Sequence, residues 1–187
     1  MDAEPFPPVG TARLLLRCVR PGDAAALSAM MTPAVSRWVA YWPVPFTVAM
    51  AERRIADARR AAAEGRALPL AVERRADGAV LGWVAVNRDA ADPRRGTLGY
   101  WLGEAHQGRG TMREAAAAAV AAGFTLLGLD VIEAAAHPGN AASFAVMRGC
   151  GMAPAGERVL FAPARQRDEL CLIHEVRRPG AVSPPPA

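Results

Sequence analysis

Lysine is absent from this sequence; all 22 of its basic residues are arginine. Together with the abundant alanine, that points to biased coding rather than to a function. Cysteine is scarce. Cys18, Cys150 and Cys171 are odd in number, widely spaced and without metal-ligand spacing, which excludes a disulfide framework or a cysteine-based metal centre and fits small core residues in a reducing compartment. No apolar run is long enough to span a membrane, and an N-terminus with Asp2, Glu4 and three early prolines does not resemble a secretory signal. A cytoplasmic protein without a membrane partner is the expectation. A basic run interleaved with aromatics is also missing, so the formal net charge of +4 describes a solvated surface that attracts acidic ligands, and nucleic acid is not an expected partner. Internal repeats and linkers are missing too, and 187 residues suit one domain with a sizeable core.

What is present is an ordered series of strand and helix patterns. Residues 12–19 read as a first strand, broken by Pro21-Gly22-Asp23, with Asp23 as helix cap for residues 24–31. Residues 32–46 are irregular and hold Trp38, Tyr41 and Trp42, either packed on the core or forming a wall of an acceptor pocket. Thr47 caps a second helix whose Glu52, Arg53, Arg54, Asp57, Arg59 and Arg60 read as a solvated face. Residues 68–74 and 79–87 form a hairpin through Ala76-Asp77-Gly78. Residues 129–136 follow a helix over 112–127 and return as a strand, the right-handed crossover of a β-α-β unit. Asn140 caps a helix over 141–148, and residues 152–161 and 167–176 close the chain as a hairpin.

The organising stretch is residues 98–114, LGYWLGEAHQGRGTMRE. Leu98, Tyr100 and Leu102 alternate with Gly99, Trp101 and Gly103 at the two-residue period of a strand. Gln107-Gly108-Arg109-Gly110-Thr111 then turns into a helix beginning with Met112 and Arg113. Two glycines let backbone amides approach a ligand closely, and the first amides of a helix carry about half a positive charge. The natural ligand of such a turn is a phosphate or pyrophosphate.

Gln107-Gly108-Arg109-Gly110 opening one helix and Asn140-Ala141-Ala142-Ser143 opening the next together resemble the GCN5-related N-acetyltransferase (GNAT) family, most closely its RimJ/RimL-type ribosomal-protein N-acetyltransferase branch. The resemblance runs from ARLLLRCVRPGDA to RDELCLI, nearly the whole chain. It implies an α/β (α+β) GNAT fold: a mixed, mostly antiparallel sheet of about seven strands, a central β-α-β unit binding acetyl-CoA, and helices on both faces. The expected layout is a loose segment over 1–10, one acetyltransferase domain over 11–177 and a disordered proline-rich tail over 178–187.

The resemblance also implies site roles. Amides of Gln107, Gly108, Arg109, Gly110, Thr111, Met112 and Arg113 would hold the pyrophosphate of acetyl-CoA. Tyr100, Trp101 and Leu102 would bind the pantetheine arm and align the thioester, with Asn140 contacting the same coenzyme. Ser143 is the candidate acid toward the coenzyme A thiolate. The base stays unassigned among Glu104, His106, His137, Glu157, Glu169 and a water chain; Thr97 stands where many relatives carry glutamate. Direct acetyl transfer to a primary amine follows, with a protein N-terminus or a small molecule as acceptor and no metal, by a monomer or homodimer. The alternative is a catalytically silent coenzyme A-binding sensor or partner-binding module.

Overall fold

The computed structural model describes residues 4–180. Its frame is one eight-stranded sheet, in the order β1-β2-β3-β4-β5-β6-β8-β7. The strands are β1 (Val9–Gly10), β2 (Leu14–Cys18), β3 (Ala67–Arg74), β4 (Val80–Arg88), β5 (Arg95–Leu102), β6 (Val131–Ala136), β7 (Ala153–Ala162) and β8 (Arg167–Arg177). All neighbours are antiparallel except β5 and β6. Five α-helices accompany them: α1 (Ala24–Met30), α2 (Pro33–Ser36), α3 (Val48–Ala63), α4 (Thr111–Leu126) and α5 (Ala141–Gly149).

Helices cover both faces because the central strands are apolar on both. Along β4, Val84 and Val86 join the cluster under α4 and α5, while Trp83 and Ala85 join the one under α1, α2 and α3. The alanine of α4 has a packing purpose. Ala115, Ala116 and Ala119 are fully buried, so the helix lies close against the sheet with little side chain between. Thr47 caps α3 by accepting from Met50 N, and Asn140 caps α5 by accepting from Ser143 N, each such cap contributing about 1 kcal/mol.

Four expectations need correction. The sheet has eight strands where about seven were expected, because residues 9–10, within the segment expected to be loose, form the two-residue β1, joined to β2 by a turn in which Thr11 and Leu14 bond each other. Consequently the segment expected to be loose over 1–10 is fastened from Glu4 onward: Phe6 is in the core, and Glu4 pairs with Arg20 at 2.8 Å. Asp23 makes no side-chain cap to α1; its carboxylate takes a bidentate bond from buried Arg17 at 2.8 and 2.9 Å and accepts from the Arg20 amide at 2.8 Å, so both oxygens are already engaged. Glu73 bonds the same guanidinium at 2.6 Å, and losing one member of such a buried network costs about 3–5 kcal/mol. Of the tail expected over 178–187, Arg178 is still anchored, its amide and guanidinium bonding Asp130 at 2.8 and 2.7 Å. Residues 181–187 lie outside the described residues.

Candidate functional site

The site begins where the parallel pair fails. β5 and β6 pair only at Arg95–Val131, Gly96–Ile132 and Thr97–Glu133. Beyond that point β5 follows β4 as far as Leu102, and β6 follows β8 as far as Ala136. Each strand keeps the partner on its other edge, so the two part and open a wedge in the middle of the sheet. A cleft of about 1740 Å³ runs through it, from the glycine turn to the loop that carries Trp38 and Tyr41.

At one end stands the turn into α4. Gly108 and Gly110 have φ of 74° and 71°, left-handed values that favour glycine. Unlike α3 and α5, α4 has no side-chain cap, so its leading amides remain free at the cleft. Gln107, Gly108, Gly110, Thr111, Met112 and Arg113 line that end. Their contributions differ from a simple ring of side chains. Gln107 folds back, donating Nε2 to Leu102 O at 2.9 Å, and so fixes the turn to the end of β5. Thr111 and Met112 are buried and offer backbone only. The Arg109 side chain does not reach the cleft lining, and its carbonyl accepts from Arg13 at 3.2 Å. Arg13 in turn bonds Glu114 of the first turn of α4 at 2.6 Å, as does Thr11, tying β1 and β2 to the turn. The fixed conformation, the free amides and Arg113 together make a cradle for an anion of pyrophosphate size.

Inside the wedge, Tyr100 reaches from β5 to α5. Its hydroxyl lies 2.7 Å from Ser143 Oγ and donates to Ser143 O at 3.1 Å. Burial pushes the phenol well above its ordinary range, against the Ser143 bond, so the hydroxyl stays protonated across neutral pH. Sequence reading assigned Tyr100 a backbone part and Ser143 an isolated one; the structure brings the two hydroxyls together. Asn140 Oδ1 is occupied by the Ser143 amide at 3.2 Å, which fixes the first turn of α5. Trp101 points to the opposite face of β5, into the α1–α3 cluster.

The other end is assembled from distant segments. Trp38 and Tyr41, 39% and 62% exposed, form an open wall. Trp42, expected in the same wall, is only 7% exposed; it packs edge-on against Trp101 at 4.9 Å and Trp83 at 5.3 Å, because so large an apolar ring gains more in the core. The turn between β7 and β8 clasps this loop. Arg165 donates to Ser36 O and Val39 O at 3.0 and 3.2 Å, and Ala164 N to Ala40 O at 2.8 Å. Glu169 holds Arg165 bidentately at 2.7 and 2.8 Å and also takes Arg167. Nothing in the spacing of the sequence marked this clasp. The expected solvated face of α3 is also interrupted: Arg54 and Arg59 are half-buried, Arg59 donating to Val19 O at 2.9 Å.

None of the acid and imidazole candidates stands ready as a base. The Arg165 bond, with help from Arg167, holds the Glu169 carboxyl down at about 2. Glu104 accepts from Thr32. His137 lines the cleft but accepts from Gly139 N at Nδ1 (3.1 Å), which leaves the proton of the neutral ring on Nε2. Neither His106 nor Glu157 lines the main cleft; Thr97 does, paired with Glu133, itself bonded to Arg95 and Arg158.

The model described as "Acetyltransferase (GNAT) domain" matches residues 13–153. Mycobacterium smegmatis RimJ, solved with CoA-disulfide, is 26% identical over 93% of this chain and 89% of its own, with a TM-score of 0.82. Two other solved structures speak to the fold alone. One is the ribosomal-protein-S5-alanine acetyltransferase of Vibrio fischeri, 20% identical over 92% of this chain and 97% of its own, TM-score 0.74. The other is RimL, a ribosomal L7/L12 alpha-N-protein acetyltransferase in complex with coenzyme A, 16% identical over 91% and 98%, TM-score 0.77. A search of the curated proteins finds no match.

Proposed function

The chain belongs to the GNAT acetyltransferase family, and from that premise we propose that it acetylates a protein N-terminal amine with acetyl-CoA, using the Tyr100–Ser143 pair to protonate the leaving thiolate. The observation that carries this reading is the wedge: an opening between two parted strands with an anion cradle at one end, two bonded hydroxyls inside and an open aromatic wall beyond. The chemistry acetyl-CoA supplies is an activated acyl thioester.

The residues then have the following roles. Amides from Gly108 to Arg113 take the pyrophosphate, and β5 backbone freed past Thr97 aligns the pantetheine arm. The neutral amine attacks the thioester carbonyl carbon, a C–N bond forms, and the C–S bond breaks. A backbone amide of β5 faces the developing oxyanion, a contribution of a few kcal/mol. The thiolate takes a proton relayed from Tyr100 through Ser143, and the proton shed by the nitrogen as the amide forms returns through water to the Tyr100 oxygen. The ammonium proton leaves by water along the open cleft, since Glu133 and Glu169 are engaged with arginines. A silent module would need no half-buried, protonated Tyr100 beside Ser143, and this pair favours the enzyme.

The test is thiol release from acetyl-CoA with a panel of N-terminal peptides and small amines. Faster turnover of peptides than of small amines is expected; the reverse order would assign the acceptor to small molecules, and no turnover with any amine would favour the silent module.

A further inference from the structure

The charges lining the cleft are not balanced. Each of its four carboxylates is engaged: Asp57 by Arg60, Asp89 by the amides of Ala91 and Asp92, Glu133 by Arg95 and Arg158, and Glu169 by Arg165 and Arg167. Among the described residues four lining arginines have no carboxylate partner: Arg113 at the cradle, Arg37 over the Trp38 ring, and Arg53 and Arg54 of α3. The α3 pair belongs to the acceptor end, since α3 packs with Trp42 and Trp83 on the face of β5 opposite Tyr100 and Ser143.

Arg54 is placed with care. Its guanidinium lies 4.5 Å from the centroid of the Trp42 ring, and Nη2 donates to Tyr41 O at 2.5 Å. Stacking and this bond hold the side chain half-buried beneath the loop. They leave the rest of the fork unused: Nε is buried with no acceptor among the described residues. The same holds for Trp101 Nε1, on a ring that meets Trp42 edge-on at 4.9 Å. Buried N–H groups of native proteins nearly always find an acceptor. Here the unpartnered donor is on a cation that lines the cleft, and the nearby carboxylates are committed elsewhere.

We propose that Arg54 is a specificity-determining residue that binds a carboxylate of the acceptor, so that the preferred acceptor is an amine bearing an acidic group a few bonds from the attacking nitrogen. The guanidinium fork matches a carboxylate in two bonds, and burial against Trp42 strengthens the pairing relative to water. This rests on the transferase reading of the same cleft. A peptide with aspartate or glutamate just after its N-terminus carries this chemistry, and so does a free acidic amino acid.

The test measures kcat/KM by thiol release for hexapeptide pairs that differ only by glutamate against glutamine at the second or third residue, and for free glutamate against glutamine. Wild type is expected to prefer the acidic member by about tenfold or more, the scale of one charge-assisted bond. If the preference is confined to the peptide pair, the source is a protein N-terminus; if to the amino acids, a metabolite. Arg54→Gln should bring the ratio near one while acetyl-CoA affinity is kept. Arg54→Glu should invert it toward lysine-bearing peptides, a change that a structural role alone would not produce. Arg54→Lys, which keeps the charge, should retain part of the preference and covers the case in which the neutral variant fails to fold. Equal rates for acidic and neutral acceptors, or a preference unchanged in Arg54→Gln, would overturn the assignment and leave the transferase reading intact. Absence of turnover with every acceptor would overturn that reading, and this one with it.

Discussion

At the glycine-turn end of the cleft the groups facing a ligand are backbone amides, fixed by two left-handed glycines and a helix without a cap. At the far end they are side chains drawn from the Trp38 loop, from α3 and from the β7–β8 turn. The first construction suits a ligand that never changes. Amides cannot be substituted, and the dipole they terminate is a property of the helix. The second suits a ligand that varies between relatives, because exchanging one arginine or tryptophan re-specifies the wall and leaves the sheet intact.

The most severe change falls between the two ends. Tyr100→Phe removes the hydroxyl bonded to Ser143, and kcat is expected to fall by about a hundredfold with little change in KM for either substrate. A rise in KM with kcat preserved would assign the pair to binding instead. Next comes the contrast between backbone and side chain at the coenzyme end. Gly110→Asp puts a negative group in the cradle and should weaken acetyl-CoA binding by about tenfold or more, whereas Arg109→Ala should change it only a few-fold. Calorimetric titration decides, and the opposite ranking would break the comparison. At the far end, Glu169→Gln releases Arg165 from its carboxylate and should raise the acceptor KM by about threefold to tenfold with acetyl-CoA affinity unchanged. Equal effects on both substrates would mean that the clasp stiffens the whole sheet.

The smallest effect is that of acid on this clasp. Because Arg165 and Arg167 depress the Glu169 carboxyl to about 2, its ionic contribution is complete above the ordinary carboxylate range and is lost only as pH falls through about 2. The Glu169 carboxyl resonance in a carbon-13 NMR titration should therefore be flat from pH 8 to about pH 5. Over the same range turnover should follow the ionisation of the acceptor amine, near 8 for an N-terminus. Replacing the acceptor with a less basic amine should move the rate profile down with it.

The features legible in the sequence are those whose parts are adjacent. The turn from Gln107 to Thr111, the Asn140–Ser143 cap and the alternation along β5 each occupy a few consecutive residues, so local periodicity and turn chemistry reveal them. The fold class and the glycine turn into α4 follow. The Tyr100–Ser143 bond joins residues 43 apart, and the Arg165–Ser36 bond joins residues 129 apart. No period or spacing encodes such pairs; they exist only once the sheet order is set. Arg54 misleads for another reason: it stands at the border between the charged face of α3 and its buried Ala51–Ile55–Ala62 stripe, and only the position of Trp42 shows that it is turned inward. β1 is too short and too rich in neighbouring proline to register as a strand at all.

The parting of β5 from β6 also bears on solubility. It creates two bare strand edges in the interior of a sheet, the kind of surface that elsewhere recruits foreign strands and starts aggregation. Here the hazard is contained by geometry, since the wedge closes at Thr97 and Glu133 and admits one extended chain at most. Pantetheine, with two amides in a row, is chemically a short peptide and can complete the ladder from inside. Coenzyme saturation should therefore protect the chain against aggregation on heating as well as supply its acyl group, an effect that light scattering during a thermal ramp would register.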